Sequence, residues 1–227
     1  MARQPVPNRM RRNFARPQPQ RTARETVLIV CEGEKTEPNY LASLVHDLGL
    51  TGADVRIFGK ECGSDPKSVV KHALDANRIK YPYDYVFCVI DTDSHANLQD
   101  AKNAVPNPPK RGTKEFSLVI STPCFEYWYI LHFGAYDRPF APKKGDSVCD
   151  CCIKELAPLI REHCPELGDY RKSSLSLYAS LKSRTSDAIR NATRRSDQCA
   201  IDGSHNPSTQ VHLLVQRLRT IAAEAVA

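Results

Sequence analysis

The chain has no apolar run long enough to cross a bilayer: stretches such as Thr26 to Cys31 and Val86 to Ile90 are of strand length only. No apolar core of the kind a secretory signal needs follows the basic N-terminus. These two absences argue against a membrane protein and set the expectation of a cytoplasmic one. Disulfide-framework spacing is also missing. The nine cysteines are an odd number, and several sit in apolar contexts (Cys31, Cys88, Cys124), as small hydrophobes of a reducing compartment do. There is no Walker phosphate-binding motif, so any ATP-driven sensing would have to come from a separate sensor or ATPase partner chain.

Acidic residues are absent from residues 1–24, which carry seven arginines and four prolines. The net charge of +6 therefore resides in this arm, leaving 25 basic against 26 acidic residues in the remainder. So few apolar groups cannot offset the entropy of ordering, and the arm is expected to be disordered when free. Arg11, Arg12 and Arg16 are candidate phosphate contacts for DNA or RNA, although a solubilising tail has the same composition.

From residue 25 to about 135, strand-sized apolar runs alternate with segments of helical period. Strands are predicted at Thr26 to Cys31, Asp54 to Phe58, Tyr85 to Ile90 and Phe116 to Ile120. Helices are predicted at Pro38 to Asp47, Pro66 to Lys80, Asn97 to Ala104 and Phe125 to Phe133. Apolar rather than alternating strands separated by helices imply an α/β fold, a doubly wound parallel sheet of about four strands. Residues 136–227 read as a helical C-terminal region, with helices at Val148 to His163, Leu175 to Arg195 and Ser208 to Ala225, packing on or beside the sheet.

The chemistry concentrates where strands end. The first strand runs into Cys31-Glu32-Gly33-Glu34, and the third ends "CVIDTDSH", with Asp91 and Asp93 two apart. Ligands of open α/β sheets bind outside the carboxyl ends of strands, where the strand order reverses. If both strands meet there, Glu32, Asp91 and Asp93 share one small volume, and their repulsion calls for a proton or a hard cation such as Mg²⁺ or Mn²⁺. Glu34 and Glu37 have a plainer reading as first-turn acids of a helix. "CDCCIKELAPLIREHC" suggests zinc but lacks the second two-residue-gap pair of such sites. In the C-terminal region, Arg190 and Arg194 fall four apart on one helix face beside Arg195, forming either a phosphate-binding stripe or a solvated face.

"LIVCEGEKTEPNYL", "VFCVIDTDSH", "STPCFEYWYILHF" and "NPSTQVHLLVQRL" together resemble the RloB-like family of abortive phage-resistance proteins, and the Glu-Gly and Asp-x-Asp elements resemble the Toprim domain. The resemblance implies a Toprim-like fold and a nuclease needing one or two Mg²⁺ or Mn²⁺ ions. Glu32 would be the acid/base or metal-proximal carboxylate, and Asp91 and Asp93 would hold the metal. Glu37 corresponds to a further acid, at a spacing one residue longer than the common nuclease form. Glu126 is placed to join the cluster, although "FEYWYILHF" otherwise reads as a core helix, and Lys35 either neutralises the scissile phosphate or is merely solvated. Two other readings remain open: a non-catalytic module that binds nucleic acid or a partner, and a haloacid-dehalogenase-like phosphatase, because "VIDTDS" resembles that nucleophile loop.

Overall fold

Five strands form one sheet: β1 (Val27–Cys31), β2 (Val55–Phe58), β3 (Tyr85–Asp91), β4 (Glu115–Thr122) and β5 (Ser208–Thr209), in the spatial order β2-β1-β3-β4-β5. The first four are parallel, and β5 runs antiparallel to the end of β4 through Ser121 and Thr122. This computed structural model describes residues 25–52, 54–59, 61, 63, 65–78, 82–92 and 98–224. The arm with Arg11, Arg12 and Arg16, and the segment carrying Asp93, lie outside the described residues.

The helices are α1 (Thr36–Asp47), α2 (Pro66–Ala76), α3 (Leu98–Ala104), α4 (Glu126–Ile130), α5 (Val148–His163), α6 (Leu177–Leu181), α7 (Thr185–Asp202) and α8 (Val211–Glu224). Every residue of β1 is buried, as befits an interior strand covered on both faces. Leu28, Val30, Val86 and Cys88 face α2 and α3. Val27, Ile29, Phe87 and Val89 share the opposite cluster with α1 and with Leu156, Leu181, Ala188 and Leu214 from the C-terminal helices. The C-terminal region therefore packs into the sheet's own core. Phe125, Trp128 and Leu131 are fully buried there, so they pack rather than offer faces for bases.

Three local differences from the sequence reading have physical causes. Helix α2 stops at Ala76: the Asn77 N–H closes the last turn on the Ala73 carbonyl, while its buried side chain ties this end to the approaches to the following strands, Oδ1 accepting from Tyr83 N–H and Nδ2 donating to Thr113 Oγ1. The predicted helix from Leu175 to Arg195 divides into α6, a 3-10 turn at Lys182–Arg184 and α7. The "NPST" stretch, read as a helix start, supplies β5 first; Thr209 then accepts the Val211 N–H and caps α8.

Arg195 is also reassigned. It is buried, its Nε and Nη2 donate to the carbonyls of Pro207 and Ser204, and Nη1 lies 3.7 Å from Asp202. Those donors tie α7 to the approach to β5 and are not available to nucleic acid. Arg190 and Arg194 remain exposed, with Arg190 paired to Asp187. Arg195→Ala should lower stability by about 2–3 kcal/mol, the scale for lost charge-assisted hydrogen bonds, whereas Arg194→Ala should stay within about 0.5 kcal/mol. Urea unfolding of both variants checks this, and equal costs would mean that Arg195 is no tie.

Candidate active site

The chain leaves β1 to form β2 on one side and then crosses to form β3 on the other, so the strand order reverses between β1 and β3. Their carboxyl ends lie side by side: Cys31 is in register with Val89, and Glu32 N–H donates to the Val89 carbonyl at 3.0 Å. The Glu32 side chain turns across the gap, its Oε2 accepting the Asp91 N–H at 3.1 Å. Glu32 and Asp91 thus come together as the sequence reading expected, through strand pairing.

Glu37, on the first turn of α1, folds back over the same crevice and is almost fully buried. A Cβ built on Gly33 would lie 2.1 Å from Glu37 Oε2. The glycine is needed here for space, since its φ is not positive. Glu126 enters from the start of α4, at 2% exposure, with Oε1 accepting the Tyr170 hydroxyl at 2.9 Å. Lys172 Nζ approaches that oxygen to 3.6 Å.

The four carboxylates sense one another. Burial first, opposed by hydrogen bonds from backbone N–H groups and reinforced by Glu126 and Glu32, pushes Glu37 up to about 7. Burial, followed by Glu37 and Glu126, holds the Asp91 carboxyl well above its ordinary range. Asp91 is partly exposed as a residue, yet its Oδ1 is sealed and makes no hydrogen bond. A bare, buried carboxylate oxygen amid three other carboxylates fits a hard divalent cation, which takes oxygen donors and would offset the charge. The residues that would hold it are Asp91, Glu126, Glu37 and Glu32. Among the described residues no three His, Cys, Asp or Glu stand at metal-holding spacing, and Asp93, the remaining candidate ligand, lies outside them.

Lys35 is exposed at the start of α1, as is Glu34. The cysteines of α5 are buried, and Cys149 and Cys152 approach Cys124 in the core beside Glu126. Sequence reasoning singled out neither Lys172 nor Tyr170 as a member of the site. Nothing in "YRKSS" marks a route to Glu126, 44 residues before Tyr170.

An α/β protein with an acidic cluster at the switch point of its sheet is the class that this geometry defines. Residues 27–218 match the family model described as RloB-like protein, and the chain belongs to that family. Membership sets it in the context of phage resistance. No curated protein and no solved structure matches it significantly. Among the described residues, no helix is long and apolar enough to cross a membrane.

The raised Glu37 pKa has a consequence for stability. The folded protein holds a proton at Glu37 up to about 7, whereas an ordinary glutamate loses it near 4.5. This contribution is full below the lower value and is lost as pH rises through the upper one. Metal-free Glu37→Gln should therefore melt about 3 °C or more above wild type at pH 8 and gain little at pH 4.5. Equal gains at both pH values, read by calorimetry in chelator, would show that the carboxylate's charge carries no penalty.

Gly33→Ala supplies a second check, because its methyl group would displace the Glu37 carboxylate toward water. Its melting temperature should vary less steeply than that of wild type between roughly pH 5 and 8. A profile parallel to wild type would mean that Glu37 does not need the space above Gly33.

Proposed function

We propose that the protein is a Toprim-type, metal-dependent nuclease that hydrolyses phosphodiester bonds of DNA or RNA, structured RNA such as tRNA included, in anti-phage defence. The observation that carries this reading is the bare, buried Oδ1 of Asp91 within the cluster of Glu32, Glu37 and Glu126 at the switch point. Membership of the RloB-like family supports it. When bound, Mg²⁺ or Mn²⁺ polarises the scissile phosphate and offsets the charge of the cluster.

The protein's own groups have separable roles. Asp91 and Glu126 anchor the acidic floor, with Glu126 oriented by Tyr170. Glu32 is fixed by the Asp91 N–H and serves as the base. A water proton passes to Glu32, the water oxygen bonds to phosphorus, and the P–O ester bond breaks, its leaving oxygen taking a proton from solvent. Asp93, in this reading a further metal ligand, lies outside the described residues. A phosphatase would require Asp91 to attack phosphorus as an anion, and burial among acids weighs against that.

With Mg²⁺ or Mn²⁺, purified protein should cut plasmid DNA or a tRNA pool. Glu32→Gln should bind the same nucleic acid while cutting it about a hundredfold more slowly, the scale for loss of a positioned base. Gel assays of cleavage and binding on both proteins decide the matter. Binding without cleavage in either protein would favour the non-catalytic module, and cleavage by Glu32→Gln at the wild-type rate would remove Glu32 as the base.

A further inference from the structure

Lys172 reaches the acidic cluster from the segment between the 3-10 turn at Pro165–Leu167 and α6. Its Nζ lies 3.6 Å from Glu126 Oε1, a Coulombic separation rather than a hydrogen bond. That oxygen already accepts the Tyr170 hydroxyl at 2.9 Å. The Glu126 side chain is 2% exposed, whereas Lys172 retains 57% of its side-chain surface. One end of the pair is therefore fixed inside the protein, and the other faces solvent. Of the other cluster carboxylates, Asp91 lies within Coulombic reach of the ammonium as well.

Of the other basic residues considered for the site, Arg190 is paired with Asp187 and Arg195 is committed to backbone carbonyls, while Lys35 and Arg194 are exposed. Lys172 has three donors on a flexible stem, and its hold on Glu126 is loose enough to exchange.

We propose that Lys172 is the substrate-phosphate contact of this site and that it exchanges places electrostatically with the metal. In the metal-free protein its ammonium compensates Glu126. With a divalent cation at the carboxylates that compensation would no longer be needed, and Lys172 would turn outward on its stem and pair with a non-bridging oxygen of the phosphodiester. Tyr170 is a positioning residue that holds Glu126 in place during the exchange. This inference rests on the nuclease reading, since it assigns a residue to that same site.

Mn²⁺ binding by full-length wild type, Lys172→Ala and Lys172→Arg can be followed by electron paramagnetic resonance, alongside cleavage of plasmid DNA and a tRNA pool. Lys172→Ala should bind Mn²⁺ about tenfold more tightly, because a competing positive charge has gone. Its cleavage should fall about a hundredfold, the scale for loss of an electrostatic contact to reacting phosphate, and Lys172→Arg should restore part of the rate. A Lys172→Ala protein that cuts at the wild-type rate overturns the proposal, as does slowed cutting with weakened Mn²⁺ binding, which would make the lysine a structural prop. If wild type neither binds Mn²⁺ nor cuts, the nuclease reading falls and takes this role with it. An active wild type with an indifferent Lys172→Ala removes Lys172 alone.

Discussion

Repulsion among Glu32, Glu37, Asp91 and Glu126, held where burial denies them full hydration, is the constraint on which the surrounding structure turns. Charges of one sign in such a place must be protonated, paired or bridged by a cation. The protein uses the first two in different parts of the cluster. Glu37 and Asp91 are pushed toward their neutral forms, while Glu126 has a phenol and an ammonium beside it. Only partial compensation is reached, since Asp91 Oδ1 is left without a hydrogen bond.

The rest of the fold supports that crowding. Parallel pairing of β1 with β3 sets Glu32 beside Asp91 at hydrogen-bond distance, and the missing side chain of Gly33 leaves space for Glu37. Helix α4 is short and almost wholly buried, with Trp128, Tyr127 and Tyr129 locked in the core, so Glu126 at its start has little freedom to withdraw. The C-terminal helices share the hydrophobic core with α4, and the segment before α6 brings Tyr170 and Lys172 to Glu126.

Much of this was legible in the sequence, for a physical reason. Apolar runs of strand length separated by helical periods depend on local hydrophobic spacing, and β1, β3 and α5 fall where that spacing puts them. Acid at the ends of two such runs is conspicuous because burial there is expected, so Glu32 and Asp91 could be singled out before any geometry was known. Its place after the fourth strand made Glu126 a candidate beside its reading as part of a core helix. The two-residue β5 has too few residues to show a period, and Arg195 among other arginines reads equally as a phosphate contact or part of a solvated face.

Tertiary structure alone decided the matters that depend on distance across the chain. The sequence left Glu37 between a helix-dipole acid and a site residue; burial against Gly33 and the proximity of Glu126 place it in the cluster. Lys172 and Tyr170 lie 46 and 44 residues beyond Glu126, as their numbering shows, in a segment with no periodicity that reports where it folds. Hydrophobic patterning determines which face of an element is buried because that face is written in neighbouring residues. It carries no information on which charged side chains meet across the core, since such meetings are fixed only when the helices have packed.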